Sequence, residues 1–150
     1  KQQCLFEILV EAVEDARAEF ERLGQGEFAV AFPAVVRGSF ERSDREARRA
    51  RVLVAEQALV RHPRQAPREE DARVRAFALL KEYEAGWRDL LAGGMSEGAI
   101  PTVDADLLTR AVIGTYNSVW RWYRPEGRLD LDQVADFYVP RLLALTGLHA

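Results

Sequence analysis

The residues with the most chemistry to offer stand together in Val119-Trp120-Arg121-Trp122-Tyr123-Arg124-Pro125-Glu126-Gly127. Three large rings and two guanidinium groups fall within five positions. A guanidinium is a planar, permanently charged fork that meets a phosphate or carboxylate through paired hydrogen bonds. A ring brings apolar area and a stacking face. Together they suit recognition of a molecule with an apolar body and an acidic end. Asn117 and Thr115, earlier on the same segment, add polar groups for orientation. Further rings recur at helical spacing elsewhere: Phe28, Phe32 and Phe40, with Val36 among them, then Tyr83, Trp87 and Tyr116. Each ring alone reads equally well as ordinary core. As a set with Asn117, Trp120, Arg121 and Arg124, they describe an apolar pocket between helices with a few polar groups at its mouth. Arg121 and Arg124 also have a plainer role open to them, because the carbonyl end of a helix favours cations.

Bond-making chemistry finds no such constellation. His62 sits in a Pro-flanked, Arg-rich stretch and His149 is next to last; neither is spaced from a second ligand. No Glu-x-x-His occurs, so a di-iron bundle lacks its ligands. There is no Gly-x-Ser-x-Gly and no phosphate loop. Cys4 lies among apolar residues and reads as packing. The expectation is no catalytic residue, no metal and no cofactor: a binding protein rather than an enzyme.

The bulk numbers agree. A chain of 150 residues with 48% apolar side chains suits one domain with a sizeable core. A single cysteine excludes an internal disulfide and fits a reducing cytosol. No run approaches the roughly 18 apolar residues of a membrane span, and no signal segment opens the chain. A cytoplasmic location follows as the expectation. The net charge of −3 argues against these residues gripping DNA by themselves.

Helical spacing runs nearly throughout. Leu5, Ile8, Leu9, Ala12, Val13, Ala16, Phe20 and Leu23 step by three or four, with Gly24 as a terminator. A second helix carries Phe28 to Phe40, and Pro33 predicts a late start or a kink. Ser43 with Glu46 reads as a capping box opening a third helix that runs to about Val60. Pro67 suits the first turn of a long fourth helix, its acidic Glu69-Glu70-Asp71 offsetting the helix dipole, with Gly93-Gly94 as the stop. The fifth runs from near Asp104 to about Tyr123. The sixth starts at an Asp130–Gln133 cap and ends at Gly147, with Pro140 expected to bend it. No strand pattern appears. The expected fold is all-α with six helices.

The fifth helix has two apolar stripes. Leu108, Val112, Tyr116, Val119, Trp120 and Tyr123 form one; Leu107, Ala111, Gly114, Ser118 and Trp122 form the other. A helix with two apolar sides must be covered on both. The second cover is either more of the same domain or a second copy of the chain. The small residues Gly114 and Ser118 let two backbones come close and favour a homodimer, with Phe137 and Arg141 of the sixth helix completing the interface.

These motifs carry a family resemblance. Lys1-Gln2-Gln3-Cys4-Leu5-Phe6 resembles the "SK-x-x-L-F" start of the fourth helix of TetR-family transcriptional repressors. Gly114, Asn117, Trp122-Tyr123-Arg124-Pro125, Gly127, Leu129 and the closing Gly147-Leu148 resemble the last two helices of a branch that controls acyl-CoA and steroid catabolism genes. The resemblance implies a ligand-binding and dimerising domain whose last two helices pair with their copies in a four-helix bundle. It implies a small apolar effector, such as an acyl-CoA or related lipid catabolite, with a cationic hydrophobic drug as the alternative. It also implies operator DNA as a partner, but only through an N-terminal helix-turn-helix that these 150 residues do not contain. The competing class of function is a free-standing helical dimer, a scaffold or an unrecognised enzyme.

Overall fold

The computed structural model describes residues 2–41, 44–63 and 66–148. Six α-helices follow one another: α1 (Gln2–Leu23), α2 (Phe28–Gly38), α3 (Asp44–Glu56), α4 (Pro67–Ser96), α5 (Ala105–Trp122) and α6 (Leu131–Thr146). A 3₁₀ turn, Gln57–Arg61, links α3 to α4, and the described residues contain no strand. The expected third helix to Val60 therefore tightens into 3₁₀ over its last turn. Arg73 fastens that turn to α4, donating to the Val60 carbonyl at 2.5 Å while it pairs with Glu70. The Ser43 cap and His149 lie outside the described residues.

Three local expectations meet their physical outcome here. Pro33 does not delay α2, which begins at Phe28 and runs through it to Gly38. The carbonyl that Pro33 deprives of a donor belongs to Ala29, an exposed residue. The first amide of α2 is served by another element, with Phe28 N–H donating to Glu97 at 2.9 Å. Gly93-Gly94 does not stop α4, which runs to Ser96 and turns at Gly98, with φ of +74°. Gly94 is there for packing: a Cβ on it would lie 2.5 Å from the Phe28 ring. Cys4 is exposed rather than packed, because it points away from the α1 face that buries Phe6, Leu9 and Val13.

The caps of α5 and α6 form as their sequences require. Asp104 accepts from Leu107 N–H at 2.9 Å. Asp130 and Gln133 make a reciprocal capping box, at 2.8 and 3.1 Å. Gly147 ends α6 at φ +82°.

The main core gathers α2, α5 and α6 with parts of α3 and α4, around Phe28, Phe32, Phe40, Trp87, Trp120 and Leu142. A smaller core, with Phe6, Leu9, Val60 and Ala76, joins the start of α1 to the 3₁₀ turn and the first half of α4. The long α1 and α4 lie against each other, and α3 bridges α1 to α5. That bridge frames the site.

Candidate ligand-binding site

Between α1, α3, α4 and α5 lies a small cavity of about 40 Å³. Its space comes from small side chains opposite large ones. Ala12 and Ala16 of α1 and Ala50 of α3 face Tyr83, Tyr116 and Trp120. Leu53 and Val54 add apolar wall; Asp15, Glu46, Arg49 and Asn117 add polar groups. Pockets that enclose organic ligands run to roughly 300 Å³ or more, so at about 40 Å³ this cavity is smaller than such a pocket.

Of the expected pocket residues, Tyr83, Tyr116, Asn117 and Trp120 meet on this cavity. Phe28, Phe32, Val36, Phe40 and Trp87 are buried in the core behind it. They reach it through rings: Trp87 stands edge-on to Tyr83 at 6.3 Å, and Phe40 to Tyr116 at 5.4 Å. Tyr116 is anchored from the same side, its hydroxyl donating to the Ser39 carbonyl at 3.0 Å. The Trp87 indole N–H is buried with no acceptor among the described residues. Arg124 is exposed and donates to the Tyr123 carbonyl at 3.0 Å, at the end of α5. Arg121 is exposed and lines a groove of about 360 Å³ between α3 and α5, beside Arg48 and Arg51.

The α1 and α3 contributions escaped sequence reading. Their signal is faint: Ala12 and Ala16 sit four apart, as do Glu46, Ala50 and Val54, which puts small residues on one face of each helix. Arg49 crosses from α3 to α1, reaching Glu11 at 2.9 Å and Asp15 at 3.4 Å. The one cation on the cavity wall is therefore already neutralised.

The second stripe of α5 faces outward. Leu107 is 66% exposed, Trp122 44%, and Phe137 on α6 52%. Ala111 and Gly114 are exposed and Ser118 half-buried. Val103 and Leu145 are also exposed apolar residues. Arg141 lies over the Phe137 ring at 3.5 Å. The first stripe of α5 is buried throughout.

Residues 34–146 match the family described as the tetracyclin repressor-like C-terminal domain. The chain belongs to this TetR family. Its members are transcriptional regulators rather than enzymes, and the six-helix all-α fold is theirs. The HTH-type transcriptional repressor KstR2 of Mycolicibacterium smegmatis is 36% identical over 64 residues, 42% of this chain and 31% of that repressor. The matched stretch thus spans less than a third of that relative. Among solved structures, the TetR regulator PfmR of Thermus thermophilus superposes with a TM-score of 0.75 at 23% identity, covering 93% of this chain and 73% of that one. The ketosteroid regulator KstR2 of Mycobacterium tuberculosis gives 0.73 at 24%, covering 97% and 71%. AibR in complex with isovaleryl coenzyme A and operator DNA gives 0.73 at 19%, covering 93% and 73%. Among the described residues, no cluster of His, Cys, Asp and Glu is placed to hold a metal. No helix there is long and apolar enough to cross a membrane.

Proposed function

We propose that this chain is the effector-sensing and self-associating domain of a cytoplasmic TetR-type repressor, and that its effector is an apolar molecule with an acidic end, an acyl-CoA or related lipid catabolite. One observation carries the reading. The Trp120 ring borders both an apolar cavity and an arginine-lined groove, so both halves of such a molecule have a place. Isovaleryl coenzyme A, which AibR holds, is a molecule of this class.

The outward stripe of α5, with Phe137 and Arg141 of α6, is the surface for a second copy, giving a four-helix interface. DNA contact belongs to a helix-turn-helix domain outside these residues. The mechanism is a population shift: the effector binds one arrangement of the dimer better than the other and so lowers operator affinity.

Thermal unfolding against fatty acids, acyl-CoAs, steroid acids and cationic drugs tests the effector class. At 100 times its dissociation constant a true effector adds about 2.7 kcal/mol, a rise of roughly 5–10 °C for a domain this size. Acyl-CoAs are expected to give it. Asp15 and Glu46 on the cavity wall favour a second reading, a cationic hydrophobe. A rise with cationic drugs alone decides for that reading and against the acidic effector.

A further inference from the structure

One side chain stands in the seam between α1 and α3, with the cavity on one side of it and solvent on the other. Arg49 lines both the cavity and an outer groove of about 700 Å³, where Ile8 of α1 faces Arg45, Arg48 and Val52 of α3. The Arg49 side chain is 23% exposed and reaches across the seam to two carboxylates one turn apart on α1, Glu11 at 2.9 Å and Asp15 at 3.4 Å. Asp15 itself lines the cavity. The apolar side chains behind this ion pair are alanines, Ala12 and Ala16 on α1 and Ala50 on α3. Each has few atoms in contact, so little dispersion energy is lost when they part. On its other side α1 is fastened to α4, where Arg75 meets Glu14 at 2.6 Å and Arg17 meets Glu82. The Trp120 ring also separates the cavity from a groove. It is fully buried and stands edge-on to Tyr116 at 5.8 Å and to Tyr123 at 6.1 Å, so moving it disturbs the core.

We propose that Arg49, Glu11 and Asp15 form a reversible clasp that closes the α1–α3 seam over the cavity, and that this seam is the effector's way in. The inference rests on the reading of the cavity as the effector pocket and adds its entrance. The strength of the clasp suits a gate. Both carboxylates are more than half exposed, so water and salt compete for the guanidinium. An ion pair of this kind moves an equilibrium only severalfold. That is enough to favour the shut seam and little enough to let it open. The long Arg49 stem can swing into the outer groove, where its charge stays in water, so opening leaves no ion buried without a partner. Parting the alanines then exposes the cavity without moving the Trp120 ring.

The test is the alkylation rate of a thiol placed on the cavity wall by Ala50→Cys, in the 150-residue chain with Cys4→Ser, using the neutral reagent iodoacetamide. Two ways of breaking the clasp change the charge in opposite senses: Arg49→Met, which keeps the stem, and Glu11→Gln with Asp15→Asn, which keeps the arginine. A purely electrostatic effect on the thiol moves the two rates in opposite directions, whereas an opened seam raises both. Each is expected to rise about fivefold, the scale of one to two exposed ion pairs. Arg75→Met breaks an α1–α4 pair instead and should change nothing. Rates that stay level, rates that move apart, or an equal rise with Arg75→Met overturn the clasp. Stopped-flow binding of octanoyl-CoA to the chain without the introduced thiol then tests the entrance. Its association rate should rise in both clasp variants, even though Arg49→Met removes a positive charge from the path of an anion. Octanoyl-CoA binding at rates neither variant alters overturns the entrance. If the thiol rates rise as expected but octanoyl-CoA does not bind, the clasp stands and the effector reading falls.

Discussion

At Gly94 a single hydrogen atom decides how α2 meets α4. A methyl group there would lie 2.5 Å from the Phe28 ring, which is fully buried and stacked on Phe32 at 5.0 Å. Gly94→Ala is therefore expected to destabilise the domain by about 1–3 kcal/mol through overpacking. Gly93→Ala, one position earlier, meets nothing within 4 Å. It should be neutral or stabilising by up to about 1 kcal/mol, because glycine inside a helix is costly. Urea unfolding of the two variants checks the pair, and equal effects would sink the packing account. The sequence showed the glycine pair but not its use, since Phe28 lies far away in the chain. The cavity residues were hidden for a similar reason. Asn117, Trp120, Tyr116 and Tyr83 stood out as rings and polar groups, whereas Ala12, Ala16 and Ala50 contribute by being small, which composition does not display. Arg49 looked like one of many arginines, and only the crossing of α3 over α1 pairs it with Glu11 and Asp15.

Among the elements, those whose ends are governed by local chemistry were the legible ones. The α6 cap needs only Asp130 and Gln133, three apart, and both hydrogen bonds form. Asp130→Ala is expected to cost about 1 kcal/mol, read as a lowered denaturation midpoint with unchanged slope. A change below about 0.3 kcal/mol would mean that the cap is idle. Asp104 at the head of α5 follows the same rule. Ends that depend on tertiary partners were misread. The start of α2 is capped by Glu97, from beyond the end of α4, and no local pattern announces that. Pro33 suggested a late start, yet α2 begins at Phe28 and runs through the proline. The α3 helix gives way to 3₁₀ where Arg73 of α4 claims the Val60 carbonyl.

For the whole molecule, the two stripes of α5 were visible as a problem before the fold was known. One stripe is buried in the domain, and the other, with Leu107, Trp122 and Phe137, stays in the open. Gly114 gives a clean probe of its use, since a Cβ there meets nothing within 4 Å. Gly114→Arg should leave thermal stability of the monomer unaltered. It should convert a dimer at micromolar concentration to monomer in sedimentation, because a second copy would meet a long charged side chain at the close approach. A wild-type chain that sediments as a monomer would remove the self-association reading. The proposed effector binding belongs to this scale too, because residues of α1, α3, α4 and α5 line the cavity. The most direct measurement is isothermal titration of the unmodified chain and of Ala50→Leu with octanoyl-CoA. The expected result is saturable binding, one molecule per chain, weakened at least tenfold by the leucine that fills the cavity, in a variant still folded by circular dichroism. No saturable binding to the unmodified chain, or binding that the filled cavity leaves unchanged, would contradict the account.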